Sequence, residues 1–301
     1  MEKRDITPEV VRCLVSTQFP GWGDLPVVPV DVDGWDNTTY RLGEHLSVRL
    51  PSAAGYVPQV AKEHRWLPVL APHLPVPVPR PVARGGPGCG FPRPWSVYEW
   101  LPGRAATAAT VAEPVSLARD LASFLRVLRA VDAGDGPPAG AHSFFRGASP
   151  ATYDADTRAA IAALADEVDA PASDRVWERA LESSWEGALV WVHGDITPSN
   201  LLVDEGGALG AVIDFGCCCV GDPACDVAIA WTFFEGESRE AFRAGLGLDE
   251  STWERGRGWA LWKALITRVG ERRAAPGSAP DAARFGWRQG ALATIEAVLA
   301  G

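Results

Sequence analysis

Hydrophobic and polar positions follow a two-residue period in the first third of the chain. Four short runs are strand-like: 27–30 is a short apolar run, 39–42 and 46–50 alternate like paired strands, and 95–100 resembles a further strand. The pair Gly43-Glu44 joins the second run to the third, as in a hairpin. The pattern therefore predicts a small sheet of paired strands near the start of the chain.

One helix and one irregular segment interrupt these strands. Pro58 suits the first turn of a helix that runs towards Leu70, and this is the one helix expected in the first third. Residues 72–94 are crowded with proline and glycine. Because proline cannot donate a hydrogen bond into a strand ladder, we expect this segment to be extended and irregular.

Beyond residue 103 the apolar spacing becomes helical. The first clear helical face is formed by Leu117, Leu121, Leu125 and Leu128. Further helices are expected near 155–169 and 174–183, a short strand at 190–192, a hairpin at 201–214, and three or four helices after Cys225. The change of period predicts an N-terminal lobe at 1–98, a hinge at 99–103 and a C-terminal lobe at 104–301.

Composition and charge narrow the class of protein. Hydrophobic residues make up 47% of the 301 residues and charged residues 22%, which is typical of a folded globular protein. The net charge of −10 disfavours nucleic acid and anionic membranes as partners and mildly favours a cationic one. No signal peptide or membrane span is predicted, so the cytoplasm is expected. The six cysteines are expected to be small, partly buried residues without disulfides or metal.

Two motifs carry the candidate chemistry. His193-Gly194-Asp195 is followed by Asn200, and Ile213-Asp214-Phe215-Gly216 follows after the predicted hairpin. This order suits phosphoryl transfer, in which Asp195 orients the attacking hydroxyl. Asn200 and Asp214 supply hard oxygen ligands for Mg²⁺ on the phosphates of a nucleotide.

These motifs, with Gly221-Asp222-Pro223-Ala224-Cys225-Asp226, resemble the aminoglycoside phosphotransferase family from about residue 31 onwards. The resemblance implies an α+β, protein-kinase-like, two-lobed fold with an N-terminal antiparallel sheet lobe and a larger helical C-terminal lobe. It implies that Asp195 is catalytic and that Asn200 and Asp214 are magnesium ligands. It also implies that Asp226 braces the catalytic loop, with a plain helix-start carboxylate as the alternative, and that His193 supports the turn.

The same resemblance assigns the N-terminal lobe to ATP or GTP. Arg49 stands at the place of the family's phosphate-binding basic residue, and Glu63 at its helical partner; the alternative is an exposed arginine and a solvated glutamate. Asn37 and Thr38 are expected to donate to phosphate oxygens, although a plain hairpin entry also explains them. The backbone from Tyr98 to Leu101, with Glu99 and Leu101 as the candidate residues, is expected to pair with the purine.

The acceptor site is the hardest part to predict. Glu235, Glu237 and Glu240, with Asp222 nearby, are candidates for drawing in amines, and a solvated helix face is the alternative. The predicted function is transfer of the γ-phosphoryl group to a hydroxyl of a cationic antibiotic, first an aminoglycoside, with a basic peptide antibiotic or a macrolide as further options. A metabolic kinase of the choline or amino-sugar type and a non-catalytic nucleotide-binding protein remain alternatives. A monomer is expected by default.

Overall fold

The computed structural model describes residues 2–31, 33–274 and 287–301, and the chain divides into two compact units. Unit 1 consists of Met1–Pro72, Pro77–Pro102 and Asp214–Gly216. Unit 2 consists of His73–Val76, Gly103–Ile213 and Cys217–Gly301. The hinge at 99–103 stays a prediction.

Unit 1 is built on an antiparallel sheet. Its strands are β1 (Val27–Pro29), β2 (Asn37–Leu42), β3 (Leu46–Pro51), β4 (Pro81–Gly85) and β5 (Trp95–Glu99), in the order β1-β2-β3-β5-β4. Leu42 pairs with Leu46 across the predicted hairpin, and Val48 pairs with Val97. One face of the sheet is apolar, and Leu42, Val48, Leu50 and Val97 are fully buried.

Two α-helices, rather than the one expected, belong to unit 1. They are α1 (Pro8–Gln18) and α2 (Val57–Leu70). The prediction missed α1, although Pro8 occupies its first turn and the buried residues Val11, Leu14 and Val15 have helical spacing. These three side chains join the core of the unit together with Trp95.

The expectation of an irregular segment at 72–94 was wrong for β4. This strand pairs with β5 at the edge of the sheet, with an irregular register between Pro81 and Ala83. Pro81 is the first residue of β4, and a sheet edge tolerates a missing N–H donor. Proline content alone therefore did not exclude a strand here.

The expectation of six free cysteines was also wrong. Cys13 on α1 and Cys89 form a disulfide across a sequence separation of 76 residues. Such a crosslink is worth about 2–4 kcal/mol of stability in typical proteins. Sequence could not identify the pair because the two cysteines meet only through the packing of α1 near the loop that contains Cys89. The other four cysteines are buried and form no disulfide within the described ranges.

Unit 2 is mostly helical. Its helices are α3 (Pro114–Ala130), α4 (Asp154–Ala163), α5 (Ala170–Leu181), α6 (Ile229–Thr232), α7 (Gly236–Leu246), α8 (Glu250–Arg273) and α9 (Ala291–Ala300). Its strands are β6 (Arg104–Ala105), β7 (Val190–Val192), β8 (Leu201–Val203), β9 (Leu209–Val212) and β10 (Cys219–Gly221). The predicted hairpin is β8–β9, which β6 extends, and β7 pairs with β10.

The long helix α8 organises unit 2. It packs against α4, α5 and α9. Gly258 allows a close approach to α5, since a Cβ atom there would lie 2.3 Å from the Cβ of Ala180. Gly256 does the same for the 3₁₀ turn at Pro223–Val227, where a Cβ would lie 2.5 Å from Val227. Among the described helices, including α8, there is none long and apolar enough to cross a bilayer.

Candidate active site

The loop after β7 carries the first motif and is fixed by its own backbone. Gly194 has φ +83°, and a Cβ atom there would lie 2.6 Å from the carbonyl oxygen of Cys217. The buried carboxylate of Asp226 accepts the N–H groups of His193 and Gly194, both at 2.8 Å. Burial raises the pKa of Asp226 above its ordinary value, although these two N–H groups and His193 act to lower it. The loop is therefore held from behind by a carboxylate that contacts the main chain.

His193 lies entirely inside the protein. Its Nε2 is 3.0 Å from the carbonyl oxygen of Ile213, and its Nδ1 is 3.2 Å from the backbone nitrogen of Asp195. These partners place the ring proton on Nε2 and leave Nδ1 as the acceptor. Both ring nitrogens are used by the backbone, which suits support of the turn rather than transfer of a proton.

Asp195 occupies the centre of this loop. Its Oδ1 accepts a hydrogen bond of 2.8 Å from the Nζ atom of Lys263 on α8. Burial acts to raise the pKa of Asp195, but the positive charges of Lys263 and Arg146 outweigh it, so the pKa lies below its ordinary value. Asp195 is therefore ionised at neutral pH, the state in which a carboxylate accepts a proton from a hydroxyl.

Asn200 is tied to Asp195 on the same loop. Its Nδ2 donates to the Asp195 carbonyl oxygen at 2.9 Å and to Oδ2 at 3.3 Å. Both bonds use the amide nitrogen, so within the described part of the chain the Oδ1 atom of Asn200 is left as an acceptor of the kind that Mg²⁺ prefers. The Asn200 carbonyl also accepts the N–H of Ile213, the residue before Asp214.

In unit 1, Arg49 joins two carboxylates. Its Nη1 lies 3.3 Å from Oε1 of Glu63, and its Nη2 lies 2.9 Å from Oδ1 of Asp214. Glu63 also accepts a hydrogen bond from the hydroxyl of Tyr98. Arg49 and Glu63 are largely buried, which differs from the alternative of an exposed strand arginine and a solvated glutamate. Asp214 has φ +64°, a conformation that non-glycine residues rarely adopt.

The other predicted nucleotide-binding residues also lie in unit 1. Asn37 and Thr38 begin β2 and are buried, and the Thr38 hydroxyl has no hydrogen-bond partner among the described residues. At the end of β5, the N–H of Glu99 donates to the Arg80 carbonyl. Leu101 follows, and its N–H makes no hydrogen bond within the described ranges. Leu101 therefore presents a free backbone donor, whereas the Glu99 donor is used.

The predicted acceptor-binding glutamates lie on the surface at the start of α7. Glu235, Glu237 and Glu240 are exposed, and Glu235 forms an ion pair of 2.7 Å with Arg288. Asp222 is not available to a ligand amine, because its buried carboxylate binds Arg255 at 2.7 Å. The three glutamates do not line the cavity beside Asp195, and their role stays a prediction.

The residues that sequence reasoning missed surround that cavity. It is a small cavity of about 10 Å³, and its lining includes Asp195 with Arg146, Trp259, Trp262 and Lys263. Arg146 precedes a glycine turn, and the other three follow one another on α8 at helical spacing. Lys263 lies near two tryptophans in the sequence. Nothing in the sequence pattern connected it to Asp195, which lies 68 positions earlier.

An antiparallel sheet unit, a larger helical unit and the loop from Asp195 to Asn200 are typical of a protein-kinase-like phosphotransferase. The comparisons identify the family: the model of the phosphotransferase enzyme family (APH) matches residues 28–259. The chain therefore belongs to the aminoglycoside phosphotransferase family and is a nucleotide-dependent small-molecule kinase. A search of curated protein sequences gave no significant match.

Solved structures share the fold at low identity. The GDP complex of wild-type aminoglycoside 2′-phosphotransferase-IIIa gives a TM-score of 0.71 at 18% identity, over 98% of this chain and 99% of that chain. The macrolide 2′-phosphotransferase apoenzyme from Brachybacterium faecium gives 0.53 at 26% identity, over 87% and 92%. The streptomycin–ATP complex of APH(2″)-IIa gives 0.57 at 17% identity, over 93% and 96%. The predictions of family and fold are confirmed.

Proposed function

We propose that the protein transfers the γ-phosphoryl group of ATP or GTP to a hydroxyl group of a small-molecule antibiotic. The observation that carries the proposal is the catalytic loop, in which an ionised Asp195 is bonded to Asn200 and held by Asp226 through the backbone. GDP and ATP complexes of similar proteins support a nucleoside triphosphate as donor. Similar proteins named as aminoglycoside and macrolide phosphotransferases support an antibiotic as acceptor.

In the proposed reaction, the acceptor oxygen forms a bond to the γ-phosphorus while the bond from that phosphorus to the β–γ bridging oxygen breaks. The nucleoside diphosphate leaves with the electron pair of that bond. The hydroxyl proton passes to the carboxylate of Asp195. Because phosphoryl transfer has a loose transition state, orientation of the hydroxyl by Asp195 matters as much as early removal of its proton.

Magnesium fits the oxygen donors of Asn200 and Asp214, which are the ligand types this ion prefers. Bound there, Mg²⁺ would neutralise negative charge on the phosphate oxygens. Arg49 keeps one oxygen of Asp214 in a salt bridge, and the other oxygen, Oδ2, is the one we assign to the ion.

The free N–H of Leu101 supports backbone recognition of a purine, as proposed for 99–101. Asn37 and Thr38 are proposed to contact the phosphates; the unpartnered Thr38 hydroxyl supports this role. We propose a cytoplasmic location, because nucleoside triphosphates are cytoplasmic, and a monomeric state. Reductants in the cytoplasm would act on the disulfide between Cys13 and Cys89.

The test is phosphate transfer from ATP and from GTP to a panel of aminoglycosides, macrolides and basic peptide antibiotics. The control pair is Asp195→Ala, which removes the proposed base, and Asp174→Ala, which removes an exposed aspartate on α5. Transfer to one class that Asp195→Ala abolishes and Asp174→Ala retains would support the proposal. Transfer that survives in Asp195→Ala would contradict the role of Asp195, and no transfer to any antibiotic would favour a metabolic kinase.

A further inference from the structure

A buried glutamine of α2 binds the turn at 33–36, which leads directly into β2. Gln59 is 3% exposed, and its Nε2 donates a hydrogen bond of 2.7 Å to Oδ2 of Asp36 in this turn. The carbonyl oxygen of Asp36 accepts the N–H of Ser52 at 2.8 Å and the hydroxyl of Ser52 at 3.0 Å. The 33–36 turn is therefore attached to the end of β3 through its main chain and to α2 through a side chain.

The same amide lies against the segment that follows Asp214, which also belongs to unit 1. A Cβ atom at Gly216 would lie 2.8 Å from Cδ and Nε2 of Gln59 and 2.9 Å from its Oε1. Gly216 is not among the glycines with positive φ, so its backbone conformation does not require glycine. The glycine at this position instead leaves the space that the Gln59 amide occupies.

One face of α2 therefore makes two connections to the segment of Asp214. Gln59 and Glu63 are four residues apart on the helix and share a face. Glu63 reaches the Asp214 carboxylate through Arg49. Gln59 contacts the glycine two positions after Asp214 and, on the other side, binds the 33–36 turn. This second connection joins the turn before β2 to the proposed metal ligand.

Stability of the fold does not explain an amide at position 59. The Oε1 atom of Gln59 is buried and has no hydrogen-bond partner among the described residues. A buried polar atom without a partner lowers stability, and a leucine of similar size would avoid that loss. Proteins accept such losses chiefly where a residue serves function.

We infer that Gln59 is a positioning residue, which holds the 33–36 turn, and with it Asn37 and Thr38, in a fixed position relative to Asp214. Without its amide, the turn and Asp214 would no longer engage the phosphates and the metal ion of one nucleotide together. The inference rests on the proposed function, because it concerns the nucleotide of the same phosphoryl transfer. Gln59 acts through the turn and does not itself contact the nucleotide.

Two glutamine variants separate positioning from support of the fold. Gln59→Leu removes the bond to Asp36, and we expect Mg–ADP to bind the full-length protein about tenfold more weakly, as for loss of a hydrogen bond to a charged group. The matched control is Gln18→Leu on α1, because Gln18 also binds across unit 1, to the N–H and the carbonyl oxygen of Gly86 at 2.8 and 2.9 Å. This control should keep the wild-type affinity for Mg–ADP and should lower the urea midpoint at least as much as Gln59→Leu does. Titration calorimetry and urea unfolding measure the two effects.

A reversed hydrogen bond tests the contact itself. Gln59→Glu places a carboxylate against that of Asp36 and should weaken Mg–ADP binding more than Gln59→Leu does, because like charges repel. Adding Asp36→Asn lets an amide at position 36 donate to the carboxylate at position 59, and the total charge of the pair is that of the wild type. The double variant should bind Mg–ADP within about threefold of the wild type. A role in packing alone would not give this recovery.

Amide hydrogen exchange gives a readout that needs neither nucleotide nor activity. In the free enzyme, peptides that cover 33–39 should exchange faster in Gln59→Leu than in the wild type and in Gln18→Leu, because the turn has lost its attachment to α2. The inference is overturned if this exchange is unchanged in Gln59→Leu, if Gln59→Leu binds Mg–ADP as tightly as the wild type, or if the double variant binds as weakly as Gln59→Glu. The proposed function fails separately, through absence of nucleotide binding or of phosphoryl transfer in the wild type, and the exchange result still decides whether Gln59 holds the turn.

Discussion

Arg49 in unit 1 and Arg146 in unit 2 are both partly buried, and their surroundings are opposite. Arg49 in unit 1 contacts two carboxylates, those of Glu63 and Asp214. Arg146 in unit 2 contacts aromatic rings, and one of its nitrogens lacks a hydrogen-bond partner among the described residues. The first arginine is charge-balanced within the protein. The second retains positive charge and donor capacity.

The different surroundings of Arg49 and Arg146 give the two arginine side chains different roles. Burial acts to lower the pKa of Arg49, but Glu63 and Asp214 outweigh it and raise the pKa, so its charge is permanent and internally compensated. Such an arginine fixes the relative positions of the two carboxylates. Arg146 instead packs against aromatic rings, and its positive charge acts to lower the pKa of Asp195.

The largest expected effects on turnover and nucleotide affinity come from replacing Asp195 in unit 2 and Asp214 in unit 1. Asp195→Ala should lower turnover about 10²–10⁴-fold and leave nucleotide affinity nearly unchanged, since it removes the proposed hydroxyl-orienting base. Asp214→Ala should lower Mg-nucleotide affinity about 10–100-fold, since it removes a proposed metal ligand. Steady-state kinetics and nucleotide titration check both variants. Equal effects of the two variants on nucleotide affinity would contradict the division of roles.

Replacing Arg49 and replacing Arg146 should lower the free energy of unfolding by different amounts. Arg49→Ala leaves the buried Glu63 without its cation and should lower the free energy of unfolding by about 3 kcal/mol. Arg146→Gln loses contacts with aromatic rings and the charge interaction with Asp195, and it should cost about 1 kcal/mol. Urea unfolding of both variants measures the difference, with Arg49→Lys as the charge-retaining control. Equal losses of stability would contradict the comparison.

The smallest expected effect is a shift in pH dependence. The folded-state pKa of Asp195 lies below its ordinary value, so the stabilisation from its charged form is present above about pH 3.9 and is lost as the pH falls through the folded pKa. Lys263→Met removes the cation that lowers this pKa. The acid limb of kcat/KM should therefore move to higher pH in the variant. Profiles of the wild type and variant from pH 4 to 8 test this, and an unchanged limb would show that Lys263 does not control Asp195.

Much of unit 1 was predictable because its signals are local. The strand alternation at 39–42 and 46–50 and the proline at position 58 correspond to β2, β3 and α2. The errors came where a local rule was overridden by position in the fold. An edge strand accepted Pro81, and a helix at the N-terminus brought Cys13 to Cys89.

The candidate site also has one part that the sequence predicted and one part that it did not. The motif from His193 to Asn200 identifies its chemistry in the sequence, because a catalytic loop needs fixed residue types at fixed spacing. The acceptor site has no such motif. Carboxylates such as Glu235 looked suitable by charge alone, but the structure places them on the surface and places Arg146 and Lys263 beside Asp195.

The sequence by itself determined the family, the α+β class and the residues proposed for phosphoryl transfer, since these depend on periodicity and on short contiguous motifs. Only the tertiary structure decided the disulfide, the bridging role of Arg49 and the position of Arg146 and Lys263 beside Asp195. Those features join residues 14 to 165 positions apart. Such contacts depend on how helices and strands pack, and packing has no signature in the spacing of a single chain.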